Sequence, residues 1–356
     1  MRTLGVALFL GLPLACARIP APESPLSAPH LPGPGRARGL AMAQKNRECE
    51  RCHAEVASEW RASPHRRSDL DPAYQRALAR EPLPFCRSCH APEADPAGPA
   101  PRELSELGVG CVTCHLDGDR VLAAPSTRPG PERAPHAVRR DAGFASERAC
   151  ASCHEFPFPD SALRLEPELM QSTVSEHAKS PLAERSCASC HMPRVGGRRH
   201  HGFRSQRSET ALRSAVRVRA TRIGPQGLAL ELESVGVGHA LPTGDLFRRL
   251  ELSVEAVGDD YASVARSVRY LTRHYQPLGR AGVPRRVLED DRLGADGTTR
   301  TRITFELPVE ARDLPLAWRV AYQRVEHPRG VNDESAVLES EVVLAEGILP
   351  AEMSEP

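Results

Sequence analysis

Cys49-Glu50-Arg51-Cys52-His53, Cys86-Arg87-Ser88-Cys89-His90, Cys111-Val112-Thr113-Cys114-His115, Cys150-Ala151-Ser152-Cys153-His154 and Cys187-Ala188-Ser189-Cys190-His191 repeat one pattern five times. Two thiols at this spacing can add across the two vinyl groups of a porphyrin as thioethers. The histidine that follows is thereby carried under the iron as an axial ligand. A zinc ribbon needs paired cysteines but no histidine directly after them. The pattern therefore implies five covalently bound haems c, with ten cysteines as anchors and His53, His90, His115, His154 and His191 as proximal ligands.

The rest of the composition agrees with an interior filled by macrocycles. Aromatic residues make up 4% of 356 residues, and there are 33 prolines, a thin supply of large side chains for an ordinary core. A formal charge of +1 argues against a nucleic-acid partner, which requires a basic excess. Lys45 and Lys179 are the two lysines; the other basic residues are arginines, whose planar fork suits haem propionates. Five haems bring about ten propionates, so the oxidised protein carries a charge of about −4 and the reduced one about −9. That charge suits a basic or neutral redox partner.

Residues 1–17 read as an export signal: Arg2, then an apolar run from Leu4 to Leu14 too short to span a membrane. Two processing routes fit. Ala15-Cys16-Ala17 allows ordinary cleavage before Arg18, and Leu14-Ala15-Cys16 resembles a lipobox in which Cys16 receives a lipid that would hold the protein to a membrane. Residues 18–44, rich in Pro, Ala and Gly, read as a tether. Residues 45–210 hold the ten motif cysteines and little periodic pattern. They are expected to form a helical and irregular haem domain, with short helices at 54–62 and 72–80. Residues 211–347 lack cysteine and show alternating, β-branched runs at 215–221, 228–234, 250–257, 299–307, 317–325 and 336–344. That pattern predicts an all-β, sandwich-like second domain.

Nine histidines remain as candidates for the far side of the irons. His65 ends Glu59-Trp60-Arg61-Ala62-Ser63-Pro64-His65, His136 lies in Ala134-Pro135-His136, and His201 follows the fifth motif in Arg199-His200-His201-Gly202-Phe203. His239 sits in the glycine-flanked turn Gly236-Val237-Gly238-His239-Ala240-Leu241-Pro242-Thr243-Gly244, where a backbone can approach a flat ligand closely. These stretches, with Gly108-Val109-Gly110-Cys111 and Asp290-Asp291-Arg292-Leu293, resemble the bacterial multihaem cytochrome family that includes the tetrahaem electron acceptor of hydroxylamine oxidoreductase. They are similar, more distantly, to the pentahaem nitrite reductases. The resemblance implies that His65, His136, His201 and His239 are distal ligands. A fifth is offered by His177 in Ser175-Glu176-His177-Ala178-Lys179-Ser180-Pro181-Leu182, although in register with the His65 segment Leu182 takes the ligand's place. His200 is an alternative to His201, and Met42 stands close before the first motif. His30 lies in the tether, and His274 and His327 read as surface residues.

The expected function is electron transfer outside the cytoplasm, between other redox proteins such as cytochromes or a membrane quinol oxidoreductase. Five irons with two histidines each leave no site for substrate, and the protein would then be no enzyme. The alternative is a reductase of a nitrogen oxide, hydroxylamine or sulfur oxyanion at one five-coordinate haem. The nitrite reductases mark their active haem with lysine in place of the proximal histidine, whereas all five motifs here end in histidine.

Overall fold

The computed structural model describes residues 31–126, 135–158, 168–203, 208–276, 286–327 and 332–351. The export signal, Cys16 and His30 lie outside the described residues.

The first half is built from short helices joined by turns: α1 (Ala41–Cys52), α2 (Ala54–Arg61), α3 (Pro72–Arg80), α4 (Phe85–His90), α5 (Arg102–Leu107), α6 (Cys111–His115), α7 (Arg148–His154), α8 (Thr173–Lys179) and α9 (Cys187–His191). Four motifs end a helix, at His90, His115, His154 and His191, and His53 caps α1. One helical turn puts residues three apart on the same face, so both thiols of a motif point to one side. Helix α3 starts where its sequence says it should: Pro72 opens it and the Asp71 carboxylate accepts the Tyr74 N–H at 3.1 Å. The apolar cluster of this half is small, made of Ala43, Trp60, Ala91, Ala94, Leu104, Leu107 and Val112.

The predicted tether ends earlier than 44. Residues 41–44 belong to α1, and the preceding segment is packed, with Leu31 and Pro32 buried. Gly35 donates to the Ser88 carbonyl at 2.7 Å, Ala37 to Pro92 and Gly39 to Glu93, each at 2.9 Å, and Ser152 Oγ donates to the Pro32 carbonyl at 2.6 Å. Arg38 grips Glu93, 1% exposed, through two bonds of 2.8 and 2.7 Å and also reaches the Val112 and Leu116 carbonyls. Proline and glycine content marks a chain without helix or strand; here its backbone donors are satisfied by the second motif and the turn after it.

The second half opens with α10 (Glu209–Ala215), capped by Ser208, and continues as nine strands: β1 (Val216–Arg222), β2 (Gly227–Ser234), β3 (Arg248–Val257), β4 (Ser263–Leu271), β5 (Arg273–Tyr275), β6 (Val287–Asp290), β7 (Arg300–Glu306), β8 (Leu316–Val325) and β9 (Leu338–Leu349). Antiparallel sheets of order β4-β3-β8-β9 and β7-β2-β1 share one core, with β5 and β6 paired alongside. Leu228, Leu230 and Leu232 of β2 meet Leu250, Leu252 and Val254 of β3 and Leu316 and Val320 of β8 there. Strand β4 was not read from sequence, because Arg266 and Arg269 interrupt its apolar alternation. The halves touch at ion pairs: Arg76 of α3 with Glu339 of β9 at 2.9 Å, and Arg292 with Glu176 of α8 at 2.7 Å.

Candidate haem centres

Four of the five motif histidines face a second imidazole at nearly one distance. Ring centres lie 6.4 Å apart for His53 and His136, 6.2 Å for His115 and His201, 6.2 Å for His154 and His65, and 6.3 Å for His191 and His239. With metal–imidazole bonds of about 2.0 Å and a ring centre about 1.1 Å behind each nitrogen, two imidazoles on one iron stand about 6.2 Å apart. The four spacings match that of two imidazoles sharing one metal.

The hydrogen bonds agree. His115 Nδ1 bonds to the Leu122 carbonyl at 2.9 Å, His201 Nδ1 to Arg199 at 3.0 Å, His239 Nδ1 to Ala240 at 2.9 Å and His90 Nδ1 to Ser68 at 2.7 Å. A carbonyl accepts, so each Nδ1 carries the proton and each Nε2 keeps its lone pair for a metal. Burial lowers the pKa of His65 to about 3 and of His154 to about 4, and lowers those of His90, His115, His201 and His239. All stay neutral, the form that ligates. None of the ten motif cysteines forms a disulfide among the described residues. Donor set, spacing and tautomers fit haem c.

Local structure brings each partner ring into place. His65 is held by the glycine turn before the third motif: Val109 donates to its carbonyl at 2.9 Å, and Trp60 Nε1 donates to the Val109 carbonyl at 2.8 Å. A Cβ on Gly108, at φ +55°, would stand 2.5 Å from that same carbonyl, so only glycine fits. His136 begins the strand Ala137–Arg140, which pairs in parallel with Arg120–Ala123, the strand that holds His115 through Leu122. The His201 N–H donates at 2.8 Å to Glu59, which Arg198 grips with a fork of 2.9 and 2.7 Å. His239 comes from the loop between β2 and β3, so the β half reaches into the haem half.

His90 is the exception. Among the described residues no histidine faces it at such a distance. Its ring contact is Tyr74, stacked at 3.7 Å and 4°. The Tyr74 ring is 8% exposed, and its hydroxyl is buried without a partner. Nothing in the sequence pattern singled out Tyr74, which lies in α3.

His177, expected as the fifth distal ligand, is placed otherwise. Its Nδ1 lies 2.6 Å from the Gly238 carbonyl and its Nε2 2.8 Å from the Arg185 carbonyl, so neither nitrogen is turned to a metal. The alternative His200 is not aimed at a motif histidine: its Nδ1 accepts the Gly202 N–H at 3.0 Å.

The centres adjoin. Cys153 lies beside Cys89, and Cys150 beside Cys187, which sets the fourth motif against the second and fifth. Cys114 of the third motif is a near neighbour of Cys153, and Cys111 of Cys49. Phe203 stands edge-on between the third and fourth centres, 4.3 Å from His65 and 6.1 Å from His201. Its φ of +47° is unusual for a bulky residue, and nothing in the sequence announced it.

Residues 48–116, which carry the first three motifs, match the sequence model of a family described as cytochrome c554 and c-prime. The fold is similar to that of a penta-haem cytochrome c552 from Thermochromatium tepidum, at 18% identity and a TM-score of 0.61, covering 88% of this chain and 100% of that one. A β-glucuronidase from glycoside hydrolase family 2 overlaps 39% of this chain and 11% of its own length at 14% identity and a TM-score of 0.18, too slight to bear on the fold. No curated protein matches the chain in sequence. The family match and the shared fold support a multihaem c-type cytochrome with covalently bound haem. No helix among the described residues is long and apolar enough to cross a membrane.

Proposed function

We propose that the chain is an exported pentahaem cytochrome that carries electrons between other redox proteins. The four facing imidazole pairs carry this reading. In it His53 and His136 serve the first centre, His115 and His201 the third, His154 and His65 the fourth, and His191 and His239 the fifth. The cysteines Cys49, Cys52, Cys86, Cys89, Cys111, Cys114, Cys150, Cys153, Cys187 and Cys190 are the thioether anchors. Haem c supplies a one-electron iron couple when bound, at lower potential with two histidines than with histidine and methionine. At four centres a histidine pair of the chain would hold the iron from both sides, which would exclude substrate there. They also keep the ring nitrogens out of water and set neighbouring centres side by side. Cytochromes or a membrane quinol oxidoreductase suit the partner role, and a lipid on Cys16 would keep the protein at a membrane surface.

The second centre favours a second reading, a reductase. No histidine among the described residues faces His90, so in this reading the haem held there would be the one to take a small molecule.

Low-temperature EPR of the oxidised protein, with a haem count, separates the two. Five low-spin haems support the carrier. Four low-spin haems and one high-spin haem that shifts with hydroxylamine support the reductase. Fewer than four low-spin haems would overturn the pairing itself.

A further inference from the structure

Helix α8 makes an unusual set of bonds around the fifth centre. The His177 ring lies between two segments, with Nδ1 2.6 Å from the Gly238 carbonyl, directly before His239, and Nε2 2.8 Å from the Arg185 carbonyl, two residues before Cys187; a neutral ring donates to one of them and a protonated ring to both. One imidazole thereby ties the loop that carries His239 to the segment that enters the motif of His191. The fit is close, since a Cβ on Gly238 would stand 3.1 Å from His177 Nδ1 and 3.3 Å from Leu182 Cβ.

The neighbouring residue holds the other end of that loop. Glu176, 5% exposed, accepts the Thr243 hydroxyl at 2.6 Å and Arg292 at 2.7 Å. Arg292 is itself buried, 4% exposed as a side chain; it donates to the Pro242 carbonyl at 3.0 Å and pairs with Asp290. Thr173 Oγ1 lies 3.0 Å from Thr243 Oγ1. A loop with Gly236 and Gly244 at positive φ has much conformational freedom to lose. A seven-residue helix of the haem half restrains it at Gly238 and at Thr243, on either side of His239.

We propose that His177 and Glu176 are positioning residues for the fifth haem, fixing His239 opposite His191 through the loop rather than by touching iron. The inference rests on the reading of His239 as that haem's ligand. It turns α8 into the joint at which the β half is coupled to a haem. Restraining a ligand's support typically changes metal affinity by about 10–100-fold.

The test uses the purified, fully haem-loaded protein and its variants His239→Leu, His177→Leu, His177→Gln and Glu176→Gln, each checked for five haems. Readouts are low-temperature EPR of the oxidised form, and the amount and rate of carbon monoxide uptake by the reduced form. His239→Leu is expected to turn one low-spin haem high-spin and to bind one carbon monoxide more than the wild type. His177→Leu is expected to keep that haem low-spin while carbon monoxide reaches it at least about tenfold faster. Glu176→Gln should act in the same direction, and His177→Gln, which keeps a donor, should lie nearer the wild type. If His177→Leu loses a low-spin haem as completely as His239→Leu, His177 is itself a ligand and the proposal is wrong. It is equally wrong if His177→Leu and Glu176→Gln both match the wild type while His239→Leu does not. An unchanged His239→Leu would instead remove the ligand reading on which the proposal stands.

Discussion

The two halves of this chain reach order by different means. Among the described residues, the β half buries a connected cluster of nineteen side chains, while the apolar cluster of the haem half has seven members, three of them alanine. At about 25 cal/mol per Å² of apolar surface, so small a cluster offsets little of the conformational entropy lost on folding, which costs about 1–2 kcal/mol per residue. The haem half instead faces imidazoles across about 6.2–6.4 Å and fixes rings by bonding their Nδ1 atoms to carbonyls, an arrangement suited to macrocycles between them. The difference teaches that its core is not encoded as side chains.

The largest effect should come from withholding haem. Produced without haem attachment, the chain is expected to keep a protease-resistant fragment starting near residue 211, while residues 41–203 are degraded. Limited proteolysis with mass mapping checks this, and a resistant haem half would break the comparison. Next in size is Leu252→Ala, whose fully buried side chain lies in the β core. It should cost about 2–5 kcal/mol, read by thermal unfolding followed in the far ultraviolet, with the haem absorption bands unmoved.

Arg38→Met probes the reverse case, a polar latch in the haem half. It leaves the buried Glu93 carboxylate with the Thr113 hydroxyl at 2.8 Å as its remaining side-chain partner. A loss of about 3 kcal/mol is expected in denaturant titration, with earlier cleavage of the 31–40 segment.

Acid sharpens the comparison further. The Arg198 hydrogen bonds, opposed by burial and helped by the His201 N–H, lower the Glu59 pKa to about 2. A carboxylate depressed in the fold stabilises it above its unfolded pKa, and the contribution is lost as pH falls through the folded value. The haem half should therefore weaken between about pH 4.5 and 2. In Glu59→Gln that part of the acid limb should be absent, as followed by the haem absorption bands. The smallest effect belongs to the exposed charge ladder of β7 and β2: Arg302→Ala breaks its 2.7 Å pair with Glu231 and should cost under about 0.5 kcal/mol in the same melts.

Much of this could be read from residues alone. The motifs carry their own geometry, because two thiols and a histidine within five residues need no distant partner to be recognised. The β2, β3 and β8 runs were legible because alternation survives wherever one face is buried. The histidines at 65, 136, 201 and 239 stood out by their settings, but which one faces which motif was not readable, since the two rings of a pair come from segments 48 to 89 residues apart.

Tertiary structure decided the rest. His177 had a plausible sequence setting, yet the carbonyl of Gly238, 61 residues away, and that of nearby Arg185 lie against its nitrogens. Segment 31–40 had the composition of a tether, yet Arg38 finds a buried carboxylate 55 residues away. Tyr74 was not singled out by the sequence pattern, yet it is stacked on the one motif histidine without a facing partner among the described residues. In each case the deciding contact is long-range. Local sequence fixes what a residue can donate, accept or ligate; only the folded chain fixes which group stands close enough to use it.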